Sequence, residues 1–148
     1  DFPVYDDMRK FVIDKGLGAG DGSNVGTVLY SRGMYAAIMA TEAAKVAQEI
    51  HGVKAITPTM MRDGLENLEM SEEKMAAIGI PGFSPTFKAS CENHGGQGSA
   101  AIQQWDAKKG TWSFITDYMQ SDQSVIEPLI LADSAQFAAE NNIKERCN

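Results

Sequence analysis

The N-terminal half of this chain is a run of amphipathic helices with almost no strand between them. Apolar side chains recur at helical spacing from Tyr5 to about Ile80, and no run of five β-branched residues interrupts them. A helix with one apolar stripe has to bury that stripe against another element. A parallel sheet, the usual partner, is missing from these residues. The pattern therefore predicts the C-terminal part of a larger α/β protein.

Four helices are predicted in this region. The first is expected from about Tyr5 to Lys15, and the second, with the clearest periodicity, over 28–50. The third begins at Thr57, a good N-cap residue that stands before a proline. The fourth begins at Ser71 and ends at Gly79.

A glycine-rich stretch, Gly16–Gly22, separates the first two helices. It follows a helix instead of a strand, and its spacing fits neither a dinucleotide loop nor a P-loop. It also lacks the alternating oxygen ligands and closing Glu of a calcium loop. The stretch is therefore interpreted as a surface connection.

The residues after Pro85 have a different pattern. A β-hairpin is predicted within 100–118, with Trp105 and Trp112 on either side of its turn. The segment 121–131 contains a proline and is predicted to be a loop or edge strand. A terminal helix is expected over 134–141.

The charge balance excludes two classes of partner. The chain has 148 residues, a net charge of -7 and a pI of about 4.7. Nucleic acids need a basic face, and anionic membrane surfaces attract basic segments, so neither is expected as a partner. No stretch approaches the ~20 apolar residues of a membrane span.

The two cysteines, Cys91 and Cys147, lack the CxxC spacing of zinc or thioredoxin-like sites. They are either two unrelated buried thiols or one disulfide that fastens the C-terminus. Both stand among polar, loop-like residues, which favours pairing. A disulfide requires an oxidising compartment.

No catalytic constellation is evident. The two histidines, His51 and His94, have neither a second His nor a Cys at metal-ligand spacing, so no metal or cofactor is predicted. Cys91 and His94 are close enough in sequence to be a nucleophile and its base. A structural Cys beside a turn His explains them more simply, because no third residue orients the pair.

One segment is a candidate for binding. Tyr30, Arg32 and Gly33 stand at the start of the long second helix, next to a serine hydroxyl. An aromatic ring and a guanidinium at a helix N-terminus can face a small ligand that carries an anion. The alternative is that the tyrosine belongs to the core and that Arg32 is a surface charge.

Several short motifs, taken in order, resemble the C-terminal portion of type I periplasmic binding proteins, in particular the leucine/isoleucine/valine-binding family. They are the Pro-Val-Tyr opening before Lys10-Phe-Val12, and the segments Tyr30–Ala37, Met61–Glu66, Ser90–Gly96, Gln103–Asp106 and Gly110–Trp112. The resemblance covers nearly the whole chain, although no single motif is diagnostic.

The resemblance implies a two-lobed α/β fold. Helices within 1–84 would cover the first lobe, on a sheet largely supplied by the N-terminal half of the same protein. Residues 85–148 would form a crossover, the β-hairpin and the C-terminal tail of the second lobe. An aromatic residue near the start of the long helix touches ligand in this family, which assigns that role to Tyr30; Arg32 and Gly33 follow by proximity.

The implied function is an extracytoplasmic solute-binding component of an ABC importer, periplasmic or secreted. It would enclose a branched-chain or other amino acid, an amide or an aromatic acid by hinge closure and then dock on a membrane permease. It would not be an enzyme. The alternatives are a ligand-sensing ectodomain or regulatory domain of the same fold, and an enzyme that uses Cys91 and His94.

Overall fold

The computed structural model describes residues 2–95, 98–144 and 146–147. The chain divides into two compact units, Asp1–Ser90 and Cys91–Asn148, which we call unit 1 and unit 2. Helices are combined with small antiparallel sheets, so the coarse prediction of a mixed α/β fold is confirmed. Unit 1 ends at Ser90, and the predicted division after residue 84 stays a prediction. The assignment of these units to two lobes stays a prediction.

The elements of unit 1 are mostly helical. Three of the four predicted helices lie close to their expected positions. The elements in chain order are α1 (Pro3–Met8), a π-helical turn (Arg9–Ile13), α2 (Val28–His51), α3 (Pro58–Glu66), β1 (Glu69–Met70), α4 (Glu72–Ala77) and β2 (Phe87–Lys88). Both predicted caps form: the Thr57 side chain accepts a hydrogen bond from the Met60 amide, and Ser71 accepts one from the Lys74 amide.

The first helix differs from its prediction. It starts at Pro3 and changes to π-helical hydrogen bonding at Arg9. The Asp14 amide donates to the carbonyl of Arg9, five residues earlier, at 2.9 Å. The helical periodicity of the sequence reports which side chains face inward, but it does not distinguish these two bonding patterns.

Glycine allows α2 and α3 to pack closely. A β-carbon at Gly64 of α3 would lie 2.1 Å from the backbone oxygen of Ala43 and 2.9 Å from Cβ of Ala47. Both alanines are fully buried on α2. The backbones of the two helices therefore approach to a distance that no residue larger than glycine permits at this point.

The core of unit 1 is made of medium-sized apolar side chains. Its four largest fully buried members are Leu68, Met70, Met75 and Ile80. They come from α4, from β1 and from the segments that flank them. The remaining core residues come from α1, α2 and the loop before α2.

The N-terminal segment closes this core from one side. The ring of Phe2 makes edge contacts with Tyr5 and Phe83, and Phe83 in turn stacks on Tyr35 of α2. The Val4 amide donates to the carbonyl of Gly79 at 3.0 Å. Residues from both ends of unit 1 therefore meet at one aromatic cluster.

Unit 2 contains strands and one long helix. The elements are β3 (Ser99–Ala100), β4 (Gln103–Asp106), β5 (Thr111–Phe114), β6 (Met119–Gln120) and α5 (Gln123–Glu140). The predicted hairpin is present as β4 and β5, in which Trp105 pairs with Trp112 across the strands, with ring centroids 5.4 Å apart. Each sheet within the described residues has two antiparallel strands.

The prediction for the C-terminal region was wrong in one respect. A single helix, α5, replaces the expected loop over 121–131 and the short helix over 134–141, and it contains Pro128. Its cap is Asp122, whose carboxylate accepts hydrogen bonds from the Ser124 amide and hydroxyl at 3.0 and 2.6 Å. Because Pro128 stands in the second turn, it removes one intrahelical hydrogen bond without ending the helix. None of the described helices combines the length and hydrophobicity that crossing a bilayer requires.

Candidate functional site

The structure places the three predicted ligand-binding residues in the first two turns of α2. Tyr30 is half-buried and packs against the core cluster of unit 1, whereas Arg32 and Gly33 are exposed. A β-carbon at Gly33 would meet no atom of another part of the chain within 4 Å. The tyrosine therefore contributes to packing, and the ligand role of all three residues stays a prediction.

Beside them lies a buried chain of hydroxyl groups. The Ser31 hydroxyl donates to the Thr27 carbonyl at 2.7 Å, and the Tyr5 hydroxyl lies 2.7 Å from the Ser31 oxygen. Because the single Ser31 hydrogen is directed at a carbonyl, Tyr5 has to be the donor to Ser31. These two hydrogen bonds fix α1 against the first turn of α2.

We expect substitutions of Tyr5 and Ser31 to lower the free energy of unfolding by different amounts. Tyr5→Phe should cost about 1 kcal/mol, because Ser31 keeps its own acceptor. Ser31→Ala should cost more, about 1–3 kcal/mol, because it leaves the Tyr5 hydroxyl as a buried donor without a partner. Urea unfolding of the two variants measures the difference. Equal losses would contradict the assigned direction of the hydrogen bond.

A shallow groove of about 240 Å³ runs between α1 and α2. Its walls are mainly apolar and include Met8, Met34, Ile38 and Ile78, while the carboxylate of Glu42 is its main polar component. Tyr30, Arg32 and Gly33 do not line this groove. The structure therefore does not join the predicted ligand residues to this groove.

Glu42 is buried and carries a compensated charge. Its two oxygens make ion pairs with Lys45, one turn further along α2, and with Lys74 of α4, the second at 4.0 Å. A buried carboxylate without such partners would be strongly destabilising. This residue connects α2 to α4, and the apolar spacing of the α2 sequence did not reveal it.

A second charged cluster joins the end of α2 to α3. The Asp63 carboxylate accepts from the Arg62 guanidinium at 2.8 Å and lies 2.9 Å from Nε2 of His51. Hydrogen bonding from Arg62 is the largest influence on the pKa of Asp63 and lowers it; partial burial opposes this, and His51 lowers it further. His51 thus has an acidic partner as well as its favourable place at a helix C-terminus.

This lowered pKa predicts a pH effect on stability. The Asp63 carboxylate contributes stability at pH values above its unfolded pKa of about 3.9, and the contribution disappears as the pH falls through the lower folded value. We expect the unfolding free energy of Asp63→Asn to fall less steeply below about pH 4 than that of the unmodified chain. Arg62→Gln, which removes the main cause, should flatten the same part of the curve. Acid titration of urea unfolding checks this, and parallel curves would refute the assignment.

Cys91 and Cys147 form a disulfide, with an S–S distance of 2.08 Å and a Cα–Cα distance of 5.5 Å. In this state Cys91 has no thiolate, so the alternative of a Cys91–His94 nucleophile pair has no nucleophile. The bond lies within unit 2 and fastens its C-terminal end. Within the described residues, no three His, Cys, Asp or Glu side chains form a group able to hold a metal ion.

Unit 2 has a larger concavity, of about 500 Å³, beside α5. Ile126, Ile130 and Leu131 give it an apolar wall, and Ser121 and Glu127 are among the polar residues at its margin. The sequence did not predict this concavity, because its wall belongs to α5, and Pro128 had led to the prediction of a loop over that segment. Gly96, the last residue of one motif in the family resemblance, lies outside the described residues.

Comparison with known proteins gives one informative similarity. No family model and no curated protein matches the chain. Its structure is similar to the crystal structure of an ABC transporter permease from the Pseudomonas fluorescens group, with a TM-score of 0.85 and 31% sequence identity. The match covers 100% of this chain and 36% of that protein, so the chain spans about a third of that protein's length.

This comparison overturns the predicted function. The similar protein is an ABC transporter permease, not a substrate-binding protein. The prediction of an extracytoplasmic solute-binding component that works by hinge closure is therefore wrong. The relation to ABC transport is supported loosely by the same comparison. Motif order along a chain reports its local structure, whereas function depends on the whole protein in which that structure is used.

Proposed function

We propose that this chain is part of a protein that belongs to an ABC transport system. The observation that carries the proposal is the similarity to an ABC transporter permease, at a TM-score of 0.85 and 31% identity over the whole chain. Because the match covers 36% of that permease, the chain would supply one portion of such a protein. Its partners in the proposal are the membrane-embedded and ATP-hydrolysing parts of the transporter.

The proposal includes the compartment. The Cys91–Cys147 bond supports an oxidising environment, either the periplasm or the outside of the cell, because thiols are kept reduced in the cytosol. It also includes a role without covalent chemistry on the transported compound. An amino acid, an amide or an aromatic acid is the proposed class of that compound.

The proposal extends to the fold, which would be a portion of a type I periplasmic binding fold. The helices of unit 1 would pack on a sheet supplied by further residues of the same protein. The outer side of α2 supports this, since Val28 and Leu29 are 77% and 78% exposed and Ala36 and Ala40 are exposed further along the helix. Such an α2 surface suits close approach to another layer. A fold of this type does not itself dictate the function of the protein that contains it.

A transport assay in the native organism tests the proposal. We expect a strain that lacks the protein to lose energy-dependent uptake of at least one radiolabelled compound from a panel of amino acids, amides and aromatic acids. The unmodified gene should restore that uptake. We also expect the protein, purified in mild detergent, to carry an ATP-hydrolysing subunit with it. Unchanged uptake of the whole panel together with no such subunit would reject the proposal.

The compartment is tested separately by alkylation and mass spectrometry of protein from intact cells. A peptide pair joined through Cys91 and Cys147 supports an oxidising compartment. Two alkylated thiols in freshly quenched cells would exclude it, and would leave the relation to transport untouched.

A further inference from the structure

The groove between α1 and α2 has an aliphatic lining. Met34 and Ile38, one helical turn apart, line it from α2; Met8 lines it from α1, and Ile78 from the end of α4. Thioether and branched aliphatic side chains adapt their shape to a flexible hydrocarbon. The groove volume of about 240 Å³ corresponds to about eight water molecules at about 30 Å³ each, so its occupant is a small molecule.

A cluster of three charged groups adjoins this aliphatic lining. Among the described residues, Glu42 is the one charged side chain that lines the groove, one turn of α2 beyond Ile38. The ammonium groups of Lys45 and Lys74 pair with its two oxygens, so the three groups together carry one positive charge. This excess is local, because the chain as a whole has a net charge of -7. A ligand with one negative group therefore complements this part of the groove.

Lys74 is able to serve a second acceptor. Its Nζ lies 4.0 Å from Oε2 of Glu42, a distance that gives an ion pair but is too long for a hydrogen bond. An ammonium group has three N–H donors, so Lys74 can donate to a further oxygen while it stays paired with Glu42. Lys74 also stands one helical turn before Ile78, and side chains at this spacing share one side of a helix. The donor and the groove therefore lie on the same side of α4.

We propose that this groove is a binding site for a straight-chain aliphatic carboxylate of medium length. The hydrocarbon chain lies against Met8, Met34 and Ile38, and the carboxylate accepts a hydrogen bond from Lys74. An alkylammonium ion is disfavoured because it meets the positive excess of the charged cluster, and a neutral alcohol forgoes the stronger, charge-assisted hydrogen bond. The site is separate from the predicted ligand residues at the start of α2, and it does not depend on the proposed relation to transport.

A series of ligands tests the proposed chemistry. Isothermal titration calorimetry of the 148-residue chain with butanoate, hexanoate and octanoate should show affinity that rises about fourfold for each added methylene group. Octylammonium should bind about fivefold more weakly than octanoate or less well still, with octanol between the two. Absence of octanoate binding, affinity that does not depend on chain length, or equal affinity for octanoate and octylammonium would each overturn the proposal.

Substitutions test the location of the site. Ala37 is exposed and lines the groove, so Ala37→Leu fills it and should weaken octanoate binding about 10-fold or more. Ala36→Leu places the same side chain at an exposed position of α2 outside the groove lining and is the matched control, with binding unchanged. Lys74→Met keeps an unbranched apolar side chain but removes the ammonium group. It should lower the affinity for octanoate about fivefold and leave that for octanol unchanged.

Thermal unfolding of each variant without ligand establishes that it is folded. Equal effects of Ala37→Leu and Ala36→Leu would contradict the location, and equal losses of octanoate and octanol binding in Lys74→Met would contradict the role of its ammonium group. A mass in sedimentation that doubles with concentration, and that only Ala37→Leu returns to the monomer, would assign the groove to a second copy instead. All of these measurements are made on the chain itself, so their failure can be told apart from failure of the uptake assay.

Discussion

Replacing Gly64 by alanine should destabilise unit 1 by about 3 kcal/mol, although alanine normally favours a helix. The added β-carbon would lie 2.1 Å from the Ala43 backbone oxygen, and a backbone atom cannot move aside as a side chain can. The helices α2 and α3 would have to separate, and this would loosen the packing around Ala43 and Ala47. Urea unfolding followed by far-ultraviolet circular dichroism measures the loss.

Gly33→Ala is the matched control. Gly33 also lies inside a helix, but the space around its β-position is open. We expect this variant to gain about 0.5–1 kcal/mol from helix propensity. Opposite signs for the two substitutions would establish close packing at Gly64. A gain in stability for both would show that the helices are further apart than the structure indicates.

Removing the disulfide should have the second large effect. The two cysteines are 56 residues apart, and in the chain-entropy model a loop of that length corresponds to about 4 kcal/mol. The described part of unit 2 has no buried residue to compensate for the loss. We therefore expect Cys91→Ser to unfold unit 2 or leave it only marginally stable.

Both tryptophans of the chain, Trp105 and Trp112, lie in the hairpin of unit 2, so their fluorescence reports on that unit. Cys147→Ser, the double variant and a thiol reductant acting on the unmodified chain should all reproduce the Cys91→Ser result. If the double variant were much less stable than either single variant, the cysteines would contribute separately and the bond would not be the cause.

The parts of the fold that could be predicted depend on neighbouring residues. Thr57 and Ser71 cap their helices because their side chains reach an amide three residues ahead. Trp105 lies opposite Trp112 because a short turn joins the two strands that carry them. Such features require only the identity and spacing of a few residues, and these can be read from the sequence.

The parts that could not be predicted depend on contacts between distant residues or on competing local preferences. Pro128 favoured a break, but it stands in the second turn of a helix capped by Asp122, where it removes only one hydrogen bond. Glu42 could not be singled out in the sequence, because its burial and its ion pair with Lys74 depend on how distant helices pack. The site prediction at Tyr30 met the same difficulty, because an aromatic residue at a helix start suits both packing and binding.

The aromatic cluster of unit 1 has a consequence for the order of events during synthesis. Phe2 and Val4 leave the ribosome long before Gly79 and Phe83, the residues that hold them in place. Until Gly79 and Phe83 emerge, Phe2 and Val4 lack these contacts. Contacts of such wide sequence separation slow folding, and they leave apolar residues exposed in the growing chain, where a chaperone can bind them.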